Sequence, residues 1–216
     1  MKRPDNMITA LVLAGGGSSR MGRTKALLEY GGRTFLETVC AGAASIPARE
    51  TIVVLGRSRA EVLAAWKPGK IKVAFNETPE LGQISSVRAG LELAAPDAEA
   101  AMICLVDQPL IKPETYEQIA GFWRSHKESL VIPKCVRTGA AGPPALRSSD
   151  PLFYKRGHPI LIPRKYFQLC FDGPHDKGLH WVTHHPSVKV LDLAVDDDGV
   201  IRDFDTPEEY QNLCSP

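Results

Sequence analysis

The sequence predicts an α/β protein built around a mostly parallel central sheet. Two observations carry this. Short apolar runs of strand length alternate with longer stretches whose apolar residues recur at three- and four-residue spacing, the rhythm of βαβ units. A glycine-rich segment, LAGGGSSRMGRTK at 13–25, then follows directly on the first apolar run. That is where an open α/β sheet presents its ligand-binding loops, at the carboxyl ends of the strands.

The elements follow in order. The first strand is expected over 8–14, ITALVLA, and a helix over 34–45. A strand over 51–55 leads to a helix over 59–66, with Ser58 as its local cap. A strand over 71–75 precedes a helix over 85–94, which opens on Ser85 and Ser86 as natural N-caps. The strand at 101–106 is followed by a helix over 113–125, with Pro113 in its first turn and Thr115 as a cap. Further strands are expected over 130–132 and 188–193, and GHPILIP at 157–163 is strand-like. Residues 137–156, RTGAAGPPALRSSDPLFYKR, break the rhythm. A stretch so rich in Gly, Pro and Ser buries little and reads as a long functional loop, mobile without ligand. No repeat, low-complexity tract or linker divides the chain, so 1–216 reads as one domain.

Composition excludes several classes. The 26 basic and 25 acidic residues nearly cancel, so no global field draws the chain to nucleic acid or to a membrane. Cys40, Cys104, Cys135, Cys170 and Cys214 are scattered, without metal-like spacing, and three of them lie in apolar runs as small core hydrophobes. Residues 1–6 are short and charged and no long apolar stretch follows, so a soluble, reduced, cytoplasmic protein is expected.

The loop at 13–25 asks for an anion. Its glycines let successive backbone amides face one ligand, and Arg20 and Lys25 approach a polyphosphate from two sides. Three readings of the residues compete. The dinucleotide fingerprint fits Gly15 and Gly17 but meets Arg20 where its third glycine belongs. A P-loop fits Gly17, Gly22 and Thr24, with Arg23 in the lysine position and Asp107 as its magnesium carboxylate; a small-molecule kinase would follow. A plain turn with solvated charges needs fewer glycines than this.

Carboxylates and histidines complete the candidate set. Asp107 leaves the apolar run 101–106, where a carboxylate is placed to hold a metal against phosphate oxygens. In RDFDTPEEY, Asp205 or Thr206 caps a last helix with Pro207 at its first position, and Asp203 is the alternative carboxylate. The run 196–199, DDDG, reads as a solvated turn. His158, between Gly157 and Pro159, is the histidine to test; His175, His184 and His185 read as surface or local structure.

These segments also carry a resemblance. LAGGGSSRMGRTKALLEYGGRTFLE closely resembles the signature L-A-[AG]-G-x-S-x-R-M-G-x-x-K of the nucleotidyltransferases that attach a nucleotide to the molybdenum cofactor, the molybdopterin cytidylyl- and guanylyltransferases. NETPELGQISSVRAGL resembles their base- and ribose-contacting segment, LVDQPLI their D-Q-P motif, GHPILIP a G-H-P element near the pterin acceptor, and DFDTPEEY their closing motif. The motifs run from 13 to 210 in family order.

The resemblance implies a single-domain, Rossmann-like three-layer sandwich of the nucleotide-diphospho-sugar transferase type. It implies Arg20, Lys25 and Asp107 as catalytic residues, and Mg²⁺ on Asp107 and Asp205. Nucleotide contacts would come from Leu13, Ala14, Gly15, Gly16, Gly17, Ser18, Arg20, Met21, Gly22, Lys25, Asn76, Gly82, Ser85 and Ser86, and acceptor contacts from Gln108 and His158. The reaction implied moves an NMP from an NTP to a phosphate-bearing acceptor, molybdopterin before a sugar or alcohol phosphate, and releases pyrophosphate. GQISS, DQP and GHP favour CTP, whereas LAGG favours GTP. A molybdoenzyme or its chaperone is the protein partner implied.

Overall fold

The computed structural model describes residues 7–16, 22–136 and 154–215. β1 (Ile8–Ala14) is followed by a single 3₁₀ turn at Lys25–Leu27 and a short hairpin of β2 (Glu29–Tyr30) and β3 (Arg33–Thr34). Then come α1 (Phe35–Ala43), β4 (Glu50–Leu55), α2 (Arg59–Ala65), β5 (Lys72–Phe75), α3 (Gln83–Leu93), β6 (Ala100–Leu105) and α4 (Pro113–Arg124). The remainder holds β7 (Leu130–Val136), β8 (Tyr154–Arg156), β9 (Ile160–Pro163), α5 (Phe167–Asp172), α6 (Gly178–Thr183), β10 (Val190–Ala194) and α7 (Pro207–Cys214).

The main sheet runs β10-β7-β9-β6-β1-β4-β5, with β8 on β7. β6, β1, β4 and β5 are parallel, as are β10 and β7, whereas β9 runs antiparallel between β6 and β7. The chain moves outward from β1 through β4 to β5, then returns to lay β6 on the other side of β1. The strand order therefore reverses between β1 and β6, and in such sheets the crevice at that reversal takes the ligand.

β1 is buried along its whole length, which is why its sequence is nearly all apolar. Its side chains alternate between two cores. Ile8, Ala10, Val12 and Ala14 face one core with Phe35, Val62, Tyr116 and Ile119 of α1, α2 and α4. Leu11 and Leu13 face the other, with Ile84 and Val87 of α3, Cys170 of α5 and Val182 of α6. Leu11 lies in register between Ile52 and Ile103. The three layers expected from the sequence are present.

Several local expectations are corrected. Ser85 and Ser86 do not cap α3: Gly82 holds that position at φ +86°, a left-handed conformation that favours glycine, and Ser85 sits within the first turn with its Oγ donating to the Gly82 carbonyl at 2.7 Å. Ser58 precedes α2 but its side chain makes no capping bond. The last three residues of the expected long loop form β8, paired with β7; residues 137–153 lie outside the described residues. The run at 196–199 is no solvated turn. Asp196 and Asp198 are exposed but Asp197 is buried, accepting from the Lys112 amide at 2.9 Å, the Thr115 hydroxyl at 2.6 Å and the Gly199 amide at 3.0 Å. A carboxylate from far along the chain thus caps α4, and Thr115 donates to it instead of capping the helix itself.

Asp197→Ala would leave two amides and a hydroxyl without their acceptor. It should cost about 2–4 kcal/mol in urea unfolding, whereas Asp196→Ala should stay within about 0.5 kcal/mol of the parent.

Candidate active site

A cleft of about 260 Å³ opens where β1 and β6 end. Leu13, Ala14, Gly15, Gly16, Lys25, Gly82, Ser86 and Asp107 line it, as do Thr24, Pro79 and Gln83. Gln83 was not singled out in the sequence, although it sits beside Gly82 in the quoted GQISS. The floor is tight. A Cβ on Gly15 would meet Ser86 Oγ at 2.8 Å, and one on Gly56 would collide with the Gly15 backbone. Gly56 is needed because the loops after β1 and β4 touch backbone to backbone, and Gly15 because the buried Ser86 hydroxyl fills the space beside it.

Asn76 and Ser85 lie under this wall. Both are buried, and the Asn76 amide donates to Ser85 Oγ at 2.8 Å and to Ser86 Oγ at 2.9 Å, tying the exit of β5 to the first turn of α3. Gly22 has φ +62° and does not line the cleft. Gly17, Ser18, Arg20 and Met21 lie outside the described residues.

Lys25 is the centre of the site. Its Nζ donates to Asp107 Oδ2 at 3.1 Å and also to Asp205 Oδ1, groups 82 and 180 residues away in sequence. Backbone contacts prepare this meeting: the Phe204 amide donates to the Asp107 carbonyl at 3.2 Å. Thr206 caps α7 in a capping box with Glu209, as the sequence led one to expect, so Asp205 is left to face Lys25. Burial alone would lower the Lys25 pKa, but the Asp107 and Asp205 carboxylates outweigh it and hold the ammonium above its ordinary value. Burial lifts the Asp107 carboxyl above the usual range; Lys25 opposes this, and Asp203 and Asp205 add to it.

The P-loop reading is overturned here. A P-loop runs straight into a helix whose amides and lysine hold the phosphates, whereas residues 25–27 form one 3₁₀ turn that passes into β2.

The chemistry of the donors fits the Mg²⁺ that the resemblance implies. Two hard carboxylate oxygens converge on one cationic point, now the Lys25 nitrogen, and Mg²⁺ is commonly held by one or two carboxylates. Among the described residues no group of three or more His, Cys, Asp and Glu side chains is arranged for a metal.

A second cavity of about 510 Å³ shares Gly82 and Gln83 with the first. Arg156, His158, His175, Lys177, His180 and His184 line it together with Asp176, so imidazole and basic side chains dominate its described polar lining, and Arg156 also pairs with Asp192 at 2.8 Å. Gln108 and His158 meet beside it: Gln108 Nε2 donates to the Val200 carbonyl at 3.3 Å, and the His158 amide donates to the same oxygen at 3.0 Å. Gln108 Oε1 and His158 Nε2 are both buried without a hydrogen-bond partner among the described residues. Burial lowers the His158 pKa to about 4. The thiols play no part in either cavity. Cys40, Cys104, Cys135 and Cys170 are buried, with burial pushing Cys40 and Cys170 up to about 12, and only Cys214 is exposed.

A glycine-walled cleft with a lysine and two carboxylates at the switch point of a parallel sheet defines an α/β nucleotide-handling enzyme. Residues 10–189 match the MobA-like NTP transferase domain, and the chain belongs to that family. It is 30% identical to a probable molybdenum cofactor guanylyltransferase of Trichormus variabilis, across 94% of this chain and 89% of that one. It is 31% identical to nicotine blue oxidoreductase of Paenarthrobacter nicotinovorans, across 72% and 70%. The crystal structure of Rv0371c from Mycobacterium tuberculosis superposes with a TM-score of 0.79 at 28% identity, covering 95% and 97% of the two chains, and a manganese complex of Rv0371c superposes at 0.73. Among the described residues no helix is long and apolar enough to cross a membrane.

The His158 pKa makes stability depend on pH. An unfolded histidine takes up its proton near 6.5 and the folded one near 4. The contribution is therefore whole above 6.5, shrinks as pH falls toward 4, and has lost up to about 3 kcal/mol there. Urea unfolding over this window should show that slope, and it should flatten in His158→Gln, which does not titrate.

Proposed function

We propose that the protein, working as one domain, is a divalent-metal-dependent nucleotidyltransferase that moves CMP from CTP to a phosphate-bearing acceptor, molybdopterin or the molybdenum cofactor, releasing pyrophosphate. One observation carries this: Lys25, at the foot of the glycine loop, bonds both Asp107 and Asp205 at the sheet's switch point. A cation already sits where triphosphate and metal would have to meet.

In this reading the loop amides, with Arg20 and Lys25, hold the β- and γ-phosphates. Asp107 and Asp205 hold Mg²⁺, which when bound neutralises phosphate charge and helps align the reacting oxygens. An acceptor phosphate oxygen attacks the α-phosphorus in line; the bond from that phosphorus to the bridging oxygen breaks and pyrophosphate leaves. Positioning and charge stabilisation carry such a step. A phosphate monoester, with a second pKa of about 6, is largely ionised at neutral pH, so the site needs no general base. That Rv0371c, a structural neighbour, was crystallised as a manganese complex supports a divalent ion. The second cavity, lined by Arg156, Lys177 and four histidines, with Gln108 Oε1 and His158 Nε2 buried beside it, supports placing the acceptor there. The product would pass to a molybdoenzyme or its chaperone. Cytosine is favoured by the GQISS, DQP and GHP segments, while the guanylyltransferase relatives support GTP.

A thermal-shift series with CTP, GTP, ATP and UTP, each with Mg²⁺, should give its largest shift with CTP, since a ligand bound by the native state alone raises stability. The product should be pyrophosphate; ADP formed from ATP would indicate a kinase. Asp107→Asn and Asp205→Asn should each lower turnover by roughly 10²–10³ with little loss of stability, and the double variant should be far less than additive. Losses that multiply independently would contradict a shared ion.

A further inference from the structure

Arg88 stands outside both cavities, on α3, whose first turn serves each of them. Its guanidinium reaches across to the end of α5 and the segment between α5 and α6. Nε donates to the Cys170 carbonyl at 2.8 Å, Nη2 to the Gly173 carbonyl, and Nη1 to the His175 imidazole, 2.9 Å from its nearer nitrogen. That segment then builds a wall of the second cavity from His175 to Leu179. At the other end of the same helical stretch, Gly82 and Gln83 line both cavities and Ser86 lines the cleft. One planar fork therefore ties the helix under the nucleotide cleft to the far wall of its neighbour, alongside the apolar packing of Ile84 and Val87 on Cys170 and Leu179.

The segment is also held from behind. A Cβ at Gly173 would collide with the Trp181 ring of α6, and Gly178 turns the chain into α6 at φ +53°. Between these two glycines the wall is a single 3₁₀ turn, His175–Lys177, with the Lys177 ammonium 5.3 Å from the Trp181 ring centroid. Lysine cannot reproduce the fork, because an ammonium is a point charge and not a rigid planar array of donors.

We propose that Arg88 is a positioning residue for the acceptor: it holds the 173–178 wall at the spacing that the acceptor pocket needs, without touching nucleotide or reacting atoms. This rests on the second cavity being the acceptor site in the reading above.

The test uses the intact chain with molybdopterin and CTP as substrates, comparing Arg88→Met and Arg88→Lys with the parent, together with amide hydrogen exchange. In Arg88→Met, exchange over 173–178 should rise about tenfold or more while the strands of the sheet keep their protection. The KM for molybdopterin should rise at least about fivefold, with kcat at saturation and the KM for CTP within twofold, and Arg88→Lys should fall between. Unchanged exchange over 173–178 would overturn the clamp. Faster exchange with an unchanged molybdopterin KM would overturn the positioning role. If the parent makes no product from molybdopterin, the acceptor assignment and the positioning role built on it fall together, while exchange still decides whether the clamp exists.

Discussion

The ion pair of Lys25 with Asp107 and Asp205 is the constraint on which the arrangement of the site depends. Three stretches that share no local sequence relation must be folded before it exists. Each member needs the others. Asp107 is lifted by burial and by the neighbouring Asp203 and Asp205, and Lys25 relieves that cost. Lys25 is itself partly desolvated, and the two carboxylates more than offset this, holding its ammonium above its ordinary pKa. Removing Lys25 would leave two partly buried carboxylates without their shared counterion, whereas neutralising one carboxylate leaves Lys25 its other partner.

The sheet lets the three meet. Because β6 returns beside β1, the loops bearing Lys25 and Asp107 leave adjacent strands at the same edge. The Phe204 amide anchors the last stretch on the Asp107 carbonyl, and Phe204 packs against Phe35 of α1 with ring centroids 5.8 Å apart. On the other side of the cleft, Asn76 and its two serines fix the start of α3. Two cavities of different character then share one helix terminus, with glycines where backbones touch and basic side chains beyond.

Much of this was legible in the sequence, and the misses have physical causes. The first strand was expected over 8–14 and lies there, because seven nearly all-apolar residues running into a glycine loop leave little choice. The first four helices were found within two residues of their ends, since their apolar spacing matches one buried face. The antiparallel direction of β9 was hidden, because a buried apolar strand reads the same either way. Helices α5 and α6 escaped because six residues each give too few turns to show a period. Asp197 was misread since an acidic run next to glycine looks solvated, and only the fold brings the Lys112 and Thr115 donors to it. The meeting of Asp107 with Asp205 could be foreseen only through the family resemblance; no spacing rule joins residues so far apart. The near-fit to a P-loop failed for a local reason, because the chain after Thr24 makes a single turn and enters a strand instead of a helix.

The central claim is that the point now held by the Lys25 ammonium becomes the meeting place of metal and triphosphate. A crystal structure of the protein with Mn²⁺ and CTP, read by the anomalous signal of manganese, tests it most directly. The account predicts a manganese peak in contact with both Asp107 and Asp205, with the Lys25 nitrogen withdrawn from them onto the phosphates. Manganese bound elsewhere, with Lys25 still bridging the two carboxylates beside a bound nucleotide, would contradict it.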